Sequence, residues 1–169
     1  MRKKLSSPTT PPTTEALDRY DRQLLARLQA EGRATNAALA QEIHLAEAPT
    51  WRRVKALEEA GIIRGYRAEI EPRSLGLEVT AFVQVRFVSN DLALQQAFEE
   101  SIGAIEQVLW CHNISGSNDF LLCVLARNLV EYGELLQTRI RALRGVMAVE
   151  SSFSLKTVKS FSGVPVPTA

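Results

Sequence analysis

Residues 35–60 read TNAALAQEIHLAEAPTWRRVKALEEA, and their apolar positions repeat at helical spacing on both sides of a short turn. Thr35 is suited to cap the first helix, and the triplet His44–Ala46 separates it from the second. The inward positions are Leu39, Ala40 and Ile43 in the first helix and Thr50, Val54 and Leu57 in the second. This spacing is typical of a helix-turn-helix, whose second helix fits the major groove of DNA.

The second helix of this pair carries the candidate DNA-reading residues. With its apolar residues facing inward, the outward positions are Ala48, Arg52, Lys55 and Glu59, with Glu47 and Trp51 alongside. Between Trp51 and Arg67 there are five basic residues and two acidic ones. We therefore expect Arg52 or Lys55 to contact guanine edges or phosphates of double-stranded DNA. The alternative is that Trp51 packs on a neighbouring helix and the arginines form a solvated face.

The flanking sequence completes a small N-terminal domain. A further helix before the pair is predicted by Leu17, Leu24, Leu25 and Leu28, with Asp18 and Asp21 as its cap and Gly32 at its end. After Gly61, residues 62–70 read as a short strand. Residues 71–78 contain Pro and Gly and read as a linker, so we place the domain boundary there.

The second half of the chain predicts the order β-α-β-β-α-β. Residues 79–88 alternate between apolar and polar positions, as in a half-buried strand. The remaining elements are a helix over 92–102, strands over 105–115 and 120–126, a helix over 129–143 and a strand over 148–159. This order is the ferredoxin-like arrangement, an antiparallel sheet with both helices on one face.

The strand over 120–126 also predicts self-association. Phe120–Leu125 is apolar on both faces, although the other sheet face has no helix to cover it. A two-fold contact would let one apolar patch cover its own copy, so we expect a homodimer through the sheet face.

The two cysteines are expected to be free thiols in a reducing cytoplasm. If Ser115 pairs near Asp119, Cys111 falls opposite Cys123 across a hairpin, within possible reach of a disulfide. His112 is the only potential metal ligand beside Cys111, and adjacent strand residues point to opposite faces. The sequence therefore predicts neither a metal site nor a catalytic cluster.

Composition and termini narrow the class further. The chain has 169 residues, a net charge of +1 and 46% apolar residues, which is a globular composition with no global basic excess. No apolar stretch reaches the roughly 18 residues of a membrane span, and no signal peptide is recognisable, so we expect a cytoplasmic protein. Residues 1–14 and 160–169 read as tails, the first of them disordered.

The whole pattern resembles the leucine-responsive (Lrp/AsnC) family of transcription regulators. The resemblance rests on LDRYDRQLLARLQAEGRATNAALAQEIHL, APTWRRVKALEEAGIIRGYRAEIEPRSLG, SGSNDFLLCV and RALRGVMAVESSFSLKTVK, in this order. It implies a helix-turn-helix DNA reader joined to a ligand-sensing dimerisation domain, dimers that associate further into tetramers or octamers, and a small effector, usually an amino acid. The recognition helix falls on residues 47–60, so Trp51, Arg52 and Arg53 inherit a DNA-contact role. Arg53 lies nearer the core side.

The resemblance also places an effector loop, commonly Gly-x-Tyr-Asp, on Gly116, Ser117, Asn118 and Asp119. Gly116 would allow close backbone approach, and Asp119 could accept hydrogen bonds from a ligand's ammonium group. The alternative is an ordinary hairpin turn, which favours the same residue types. Asn118 replaces the usual aromatic residue. His44 stands where the turn usually has Gly, and Ala46 where a capping Ser is common.

These observations predict an α+β protein with a winged-type helix-turn-helix domain over 15–63, a strand and linker over 64–78, and a ferredoxin-like effector and oligomerisation domain over 79–159. The predicted function is sequence-specific, effector-modulated transcription regulation without catalysis. A DNA-organising protein with little sequence preference is the alternative. An enzyme is disfavoured, because the sequence has no phosphate-binding glycine loop, metal-ligand pair or Ser/His/Asp set.

Overall fold

The computed structural model describes residues 17–88 and 91–167. The chain divides into two compact units. One, here called the DNA-reading unit after the role predicted from its sequence, contains the described residues 17–69 together with 159–167. The other, the effector unit, runs from Ile70 to Val158. The tail predicted over residues 1–14 lies outside the described residues.

The DNA-reading unit contains the predicted helices: α1 (Arg19–Ala30), α2 (Asn36–Glu42) and α3 (Glu47–Glu59). Asp18 caps α1 by accepting hydrogen bonds from the backbone N–H groups of Tyr20 and Asp21, at 2.8 and 2.9 Å. The Asp21 carboxylate accepts from the Asp18 N–H in return, which completes a capping box. The Thr35 hydroxyl accepts from the Ala38 N–H and caps α2, so both predicted caps are confirmed.

The three helices bury a small common core. It is formed by Leu24, Leu28, Leu39, Ile43 and Leu57. The polar Thr50 is also fully buried, and its hydroxyl donates to the Ala46 carbonyl oxygen at 2.9 Å. A buried hydroxyl with a partner avoids the cost of an unsatisfied polar group. The inward face predicted for α3 is therefore confirmed.

The strand predicted over residues 62–70 is wrong. These residues take no regular secondary structure, and Gly61 and Gly65 have φ values of +71° and +147°. A strand needs a hydrogen-bonded neighbour, and the described residues of this unit supply none. The linker contains a short 3₁₀ helix, Pro72–Leu75, which ends at Gly76 with a left-handed φ of +74°.

The effector unit has the predicted β-α-β-β-α-β order. Its elements are β1 (Val79–Phe87), α4 (Leu92–Gly103), β2 (Val108–Asn113), β3 (Phe120–Ala126), α5 (Leu129–Leu135) and β4 (Val146–Phe153). The strands form one antiparallel sheet in the order β2-β3-β1-β4. This is the predicted ferredoxin-like topology.

Several of the predicted boundaries differ from the structure: the strand predicted over 105–115 is limited to Val108–Asn113, and the strand predicted over 148–159 begins at Val146. The helix predicted over 129–143 is α-helical only to Leu135 and continues as a π-helical turn, Leu136–Ile140. The last strand ends at Phe153 and not at residue 159. Phe153 pairs with Ala81, and the Ser154 N–H still donates to the Thr80 carbonyl oxygen at 2.9 Å, so almost no length of β1 remains for a strand that reaches residue 159.

The core of the effector unit lies between the helices and one face of the sheet. An aromatic cluster occupies its centre, where the ring centroid of Phe98 lies 5.1 Å from that of Phe87 and 4.7 Å from that of Phe120. Phe87 and Phe120 are 5.5 Å apart. All three rings are buried. Such tilted and edge-on contacts stabilise a core beyond the area that they bury.

The register of β2 against β3 separates the two cysteines. Cys111 pairs with Leu122 and packs against the core, whereas Cys123 pairs with Trp110 and lies on the opposite sheet face. The idea that the two thiols could reach each other is therefore wrong, and both are free. Burial, together with the charge of Glu99, raises the pKa of Cys111 to about 11.

Within the described residues no helix is both long and apolar enough to cross a membrane.

Candidate DNA-reading helix and effector loop

The N-terminal half of α3 presents several of the predicted DNA-reading residues on one surface. Trp51 is 54% exposed, so about half of its surface is open to solvent. An open cavity of about 470 Å³ is lined by Asn36, Glu47, Ala48, Trp51 and Arg52. The Asn36 side-chain amide donates to the Glu47 carbonyl oxygen at 2.9 Å, and this bond joins the starts of α2 and α3.

Lys55 and Arg52 differ in how far they are engaged within the protein. The Lys55 ammonium lies 5.1 Å from the centre of the Trp51 ring and 3.6 Å from the Glu59 carboxylate. Arg52 is exposed, and among residues 17–88 and 91–167 no partner is recorded for its guanidinium. Arg52 is therefore the basic side chain of α3 most available to an external anion.

Arg53 has a structural position. Its Nη1 lies 2.8 Å from Asp18 Oδ2 and 2.9 Å from Asp21 Oδ1. Its guanidinium carbon also lies 5.3 Å from the centre of the Tyr20 ring. The hydrogen bond to Asp21 and the nearby Asp18 charge raise the pKa of Arg53 above its ordinary value. Arg53 thus joins α3 to the capped end of α1, and its charge is engaged there although it lines a cavity together with Arg52.

The turn before α3 contains two residues that suit their positions poorly. His44 has a left-handed φ of +55°, a conformation that glycine adopts more readily. Ala46 occupies the N-cap of α3, where it has the extended backbone of a cap but no side-chain hydrogen bond. Both departures noted in the sequence therefore coincide with a local shortfall in stability.

Ala46→Ser is expected to raise the free energy of unfolding of the DNA-reading unit by about 0.5 to 2 kcal/mol. The backbone of Ala46 already has cap geometry, with φ −71° and ψ 156°, so a serine hydroxyl can accept from an N–H group in the first turn of α3. Thermal or denaturant unfolding of the full chain measures the change. Ala46→Val is the control, since it supplies no cap; equal stability of the two variants would contradict the prediction.

The predicted effector loop connects β2 to β3. Gly116 has φ +128°, and a Cβ built on it would meet no atom within 4 Å. The backbone conformation therefore requires glycine at position 116, and the missing side chain leaves open space beside the loop. Ser117 is exposed, and the Asn118 side-chain amide donates to Gln84 Oε1 on the neighbouring β1 at 2.6 Å. The loop thus brings two side-chain amides together.

Asp119 is fixed by the sheet. Its N–H donates to the Val85 carbonyl oxygen at 2.9 Å, and its Oδ2 accepts from the Phe87 N–H at 2.8 Å. The Asp119 carbonyl oxygen accepts from the Ile114 N–H and from the Asn113 side chain. In the described part of the chain, Oδ1 has no recorded hydrogen bond. One carboxylate oxygen is therefore structural and the other is available.

Sequence reasoning missed two features of these sites. The pairing of Arg53 with Asp18 and Asp21 had a partial signal, because both aspartates were predicted at the cap of α1 and Arg53 on the core side of α3. Gln84 is a polar residue on the outer face of β1, but its contact with Asn118 depends on strand order, which spacing does not reveal. No group of three or more potential metal ligands lies together in residues 17–88 and 91–167.

Comparison with family models assigns both units. The model of winged helix-turn-helix DNA-binding domains matches residues 17–64. The model of Lrp/AsnC ligand-binding domains matches residues 80–164. The two matches cover the regions that contain α3 and the loop between β2 and β3.

Curated relatives are similar over nearly their whole length. The leucine-responsive regulatory protein of Rhizobium meliloti is 34% identical over 150 residues, which cover 89% of this chain and 96% of the relative. The DNA-binding transcriptional activator DecR of Escherichia coli is 31% identical, with 89% and 99% covered.

Solved structures have the same fold. A transcriptional regulator from Neisseria meningitidis in complex with L-Met superposes with a TM-score of 0.84 at 32% identity, covering 88% of this chain and 96% of that one. The leucine response regulatory protein LrpA of Mycobacterium tuberculosis superposes with a TM-score of 0.78 at 30% identity, covering 89% and 100%. On these matches, the chain belongs to the Lrp/AsnC family of DNA-binding transcriptional regulators.

Proposed function

We propose that this protein is a sequence-specific, double-stranded DNA-binding transcription regulator whose activity is modulated by an amino acid or a related small metabolite. The observation that carries the proposal is the exposed surface at the start of α3, where Trp51 and Arg52 border an open cavity. The family matches support the same assignment for each unit.

For DNA recognition, α3 would enter the major groove with its N-terminal half. Arg52 has the planar, two-pronged donor set that matches the O6 and N7 acceptors of guanine. Glu47, Ala48 and Trp51 border Arg52 and would set the shape of the contact. Lys55, held by Trp51 and Glu59, is better suited to a phosphate, which needs charge more than geometry. Arg53 serves the fold.

For effector recognition, the loop between β2 and β3 offers Asp119 Oδ1 as an acceptor for an ammonium group. Gly116 leaves space beside it, and Ser117 and Asn118 supply polar groups. The related regulator from Neisseria meningitidis was solved with L-Met, which supports an amino-acid ligand for this domain. No catalysis is assigned to the site. We also propose that the protein is located in the cytoplasm, because a transcription regulator must have access to the DNA that it binds.

The outer face of the effector sheet supports self-association. Phe82 and Trp110 are 38% and 36% exposed, and their ring centroids lie 6.1 Å apart. Leu121 lies on the same face, opposite Gln84 of β1. We include in the proposal a homodimer through this face, from which tetramers or octamers could assemble. Two-fold symmetry would then give a palindromic DNA site.

Phe82→Glu is expected to raise the dimer dissociation constant at least about a hundredfold, because it buries an unpaired carboxylate at the contact. Light scattering during size exclusion, over a dilution series, measures the assembly. Val130→Glu is the control, since Val130 is equally apolar but lies in α5 and is exposed. A dimer unaffected by Phe82→Glu would show that another surface makes the contact.

The DNA function is tested by selecting randomised and genomic duplexes with the purified full chain at about physiological salt. An enriched pseudo-palindrome is the expected result. Retention of DNA with no shared motif and a steep salt dependence would instead favour the DNA-organising alternative. Repeating the selection with single amino acids present tests the effector, which is expected to change the affinity for the selected duplex.

A further inference from the structure

The segment that follows the last strand belongs to the DNA-reading unit. Residues 159–167 come after β4 in the sequence, yet they cluster with α1, α2 and α3. They form no helix or strand. Residues 160–169 were predicted to form a tail, whereas the backbone of Val164 and of Pro167 makes specific contacts with α1.

The first set of contacts is made by side chains of α1. The Val164 N–H donates to Gln29 Oε1 at 2.7 Å, and Gln29 Nε2 donates back to the Val164 carbonyl oxygen at 3.0 Å. Arg22 Nη1 donates to the Pro167 carbonyl oxygen at 2.7 Å. Arg22 and Gln29 are seven residues apart, so they lie on one face of α1, two turns from each other.

Gly163, which directly precedes Val164, is also adapted to the docked position. It has φ +110°, and a Cβ added to it would lie 2.7 Å from Gln29 Oε1. A side chain at this position is therefore disfavoured by the backbone conformation, and it would displace the Gln29 amide unless that side chain were shortened as well. Pro165 and Pro167 limit the freedom of the following residues before docking. The segment is thus suited to this one path over α1.

We propose that residues 159–167 form a strap that holds α1 of the same chain, as a second attachment of the DNA-reading unit. The chain passes into the effector unit after Glu69 and returns after Val158. With the strap docked, the DNA-reading unit is therefore joined to both ends of the effector unit.

The strap is held by polar contacts. Phe161 and Val164 are 80% and 62% exposed and Val166 is only partly buried, so its release uncovers little apolar surface. It can therefore detach without unfolding the core of either unit. Docking of the strap requires neither DNA nor an effector. A protein whose strap does not dock could therefore still have the proposed regulatory function.

A disulfide trap tests whether the strap docks on its own chain. The Cβ of Gln29 lies 3.4 Å from a Cβ built at Gly163, close to the separation of about 3.5 to 4.5 Å that disulfides span. The double variant Gln29→Cys/Gly163→Cys is expected to form a reducible intrachain bond under mild oxidation. Gln23→Cys/Gly163→Cys is the control. An interchain bond would assign the strap to a partner copy, and the proposal would be overturned.

A comparison of unfolding temperatures in the full and a shortened chain tests the docking while Gly163 stays unchanged. Gln29→Ala is expected to lower the unfolding temperature of the full chain by a few degrees, but not that of a chain ending at Ser160. Gln23→Ala is the matched control, because Gln23 is an exposed glutamine of α1 with no recorded hydrogen bond among the described residues. It is expected to behave alike in both chains. An equal effect of Gln29→Ala in the full and shortened chains would overturn the strap.

Discussion

Phe120→Ala is expected to lower the free energy of unfolding of the effector unit by about 3 to 5 kcal/mol, the usual range for a large aromatic residue in a packed core. Phe120 is buried at the start of β3, in contact distance of the Phe87 and Phe98 rings. Its removal would leave a cavity that these rings cannot fill, since their own backbones are fixed in β1 and α4. Denaturant unfolding of the full chain measures the loss.

Phe120→Leu is the control for this prediction. Leucine keeps the apolar character and most of the volume, so a loss of about 1 kcal/mol is expected. Because Phe120 follows Asp119 directly, the alanine variant is also expected to disorder the effector loop and to weaken amino-acid binding. An alanine variant as stable as the leucine variant would show that the aromatic cluster can collapse around the cavity.

Arg52→Ala is expected to weaken binding to the selected duplex about ten- to a hundredfold, without lowering the unfolding temperature. The guanidinium of Arg52 has no recorded partner in the described part of the chain, so its loss leaves no group of the protein unsatisfied. Binding isotherms at fixed salt measure the effect. A duplex with the contacted guanine replaced should lose affinity for the wild type but not for the variant.

Arg53→Ala is the matched control, because it removes the same charge from the next position of α3. Its loss leaves Asp18 and Asp21 without their shared cation, and we expect the unfolding free energy to fall by about 1 kcal/mol, a modest value because the ion pair is partly exposed. Its DNA affinity should fall less than that of Arg52→Ala. A larger loss of DNA affinity in Arg53→Ala than in Arg52→Ala would show that the side of α3 that carries Arg53 contacts the DNA.

The sequence was sufficient for the elements whose signal is local. The caps at Asp18 and Thr35 depend on side chains within three residues of their partners, and both are present. The inward face of α3 follows from helical spacing, and Thr50 and Leu57 are buried as expected. The order of the effector unit follows from alternating periodicity and turn residues. These features require no knowledge of distant contacts.

The predictions that were wrong concern contacts between residues that are far apart in the sequence. Whether residues 62–70 form a strand depends on a neighbouring strand, and whether Cys111 meets Cys123 depends on a register with an irregularity in β2. The docking of Val164 on Gln29 joins residues 135 positions apart. No local pattern of composition or spacing reports such contacts.

The fixed carboxylate of Asp119 has a consequence for the energetics of an effector. A flexible side chain loses rotamer entropy when a ligand orders it, at a cost of roughly 0.5 to 1.5 kcal/mol. The Phe87 N–H already holds Oδ2, so that ordering has occurred on folding, and an ammonium group at Oδ1 would meet a preorganised acceptor. The same carboxylate would then link the ligand directly to β1, one of the two central strands of the sheet, with β4 paired on its far side.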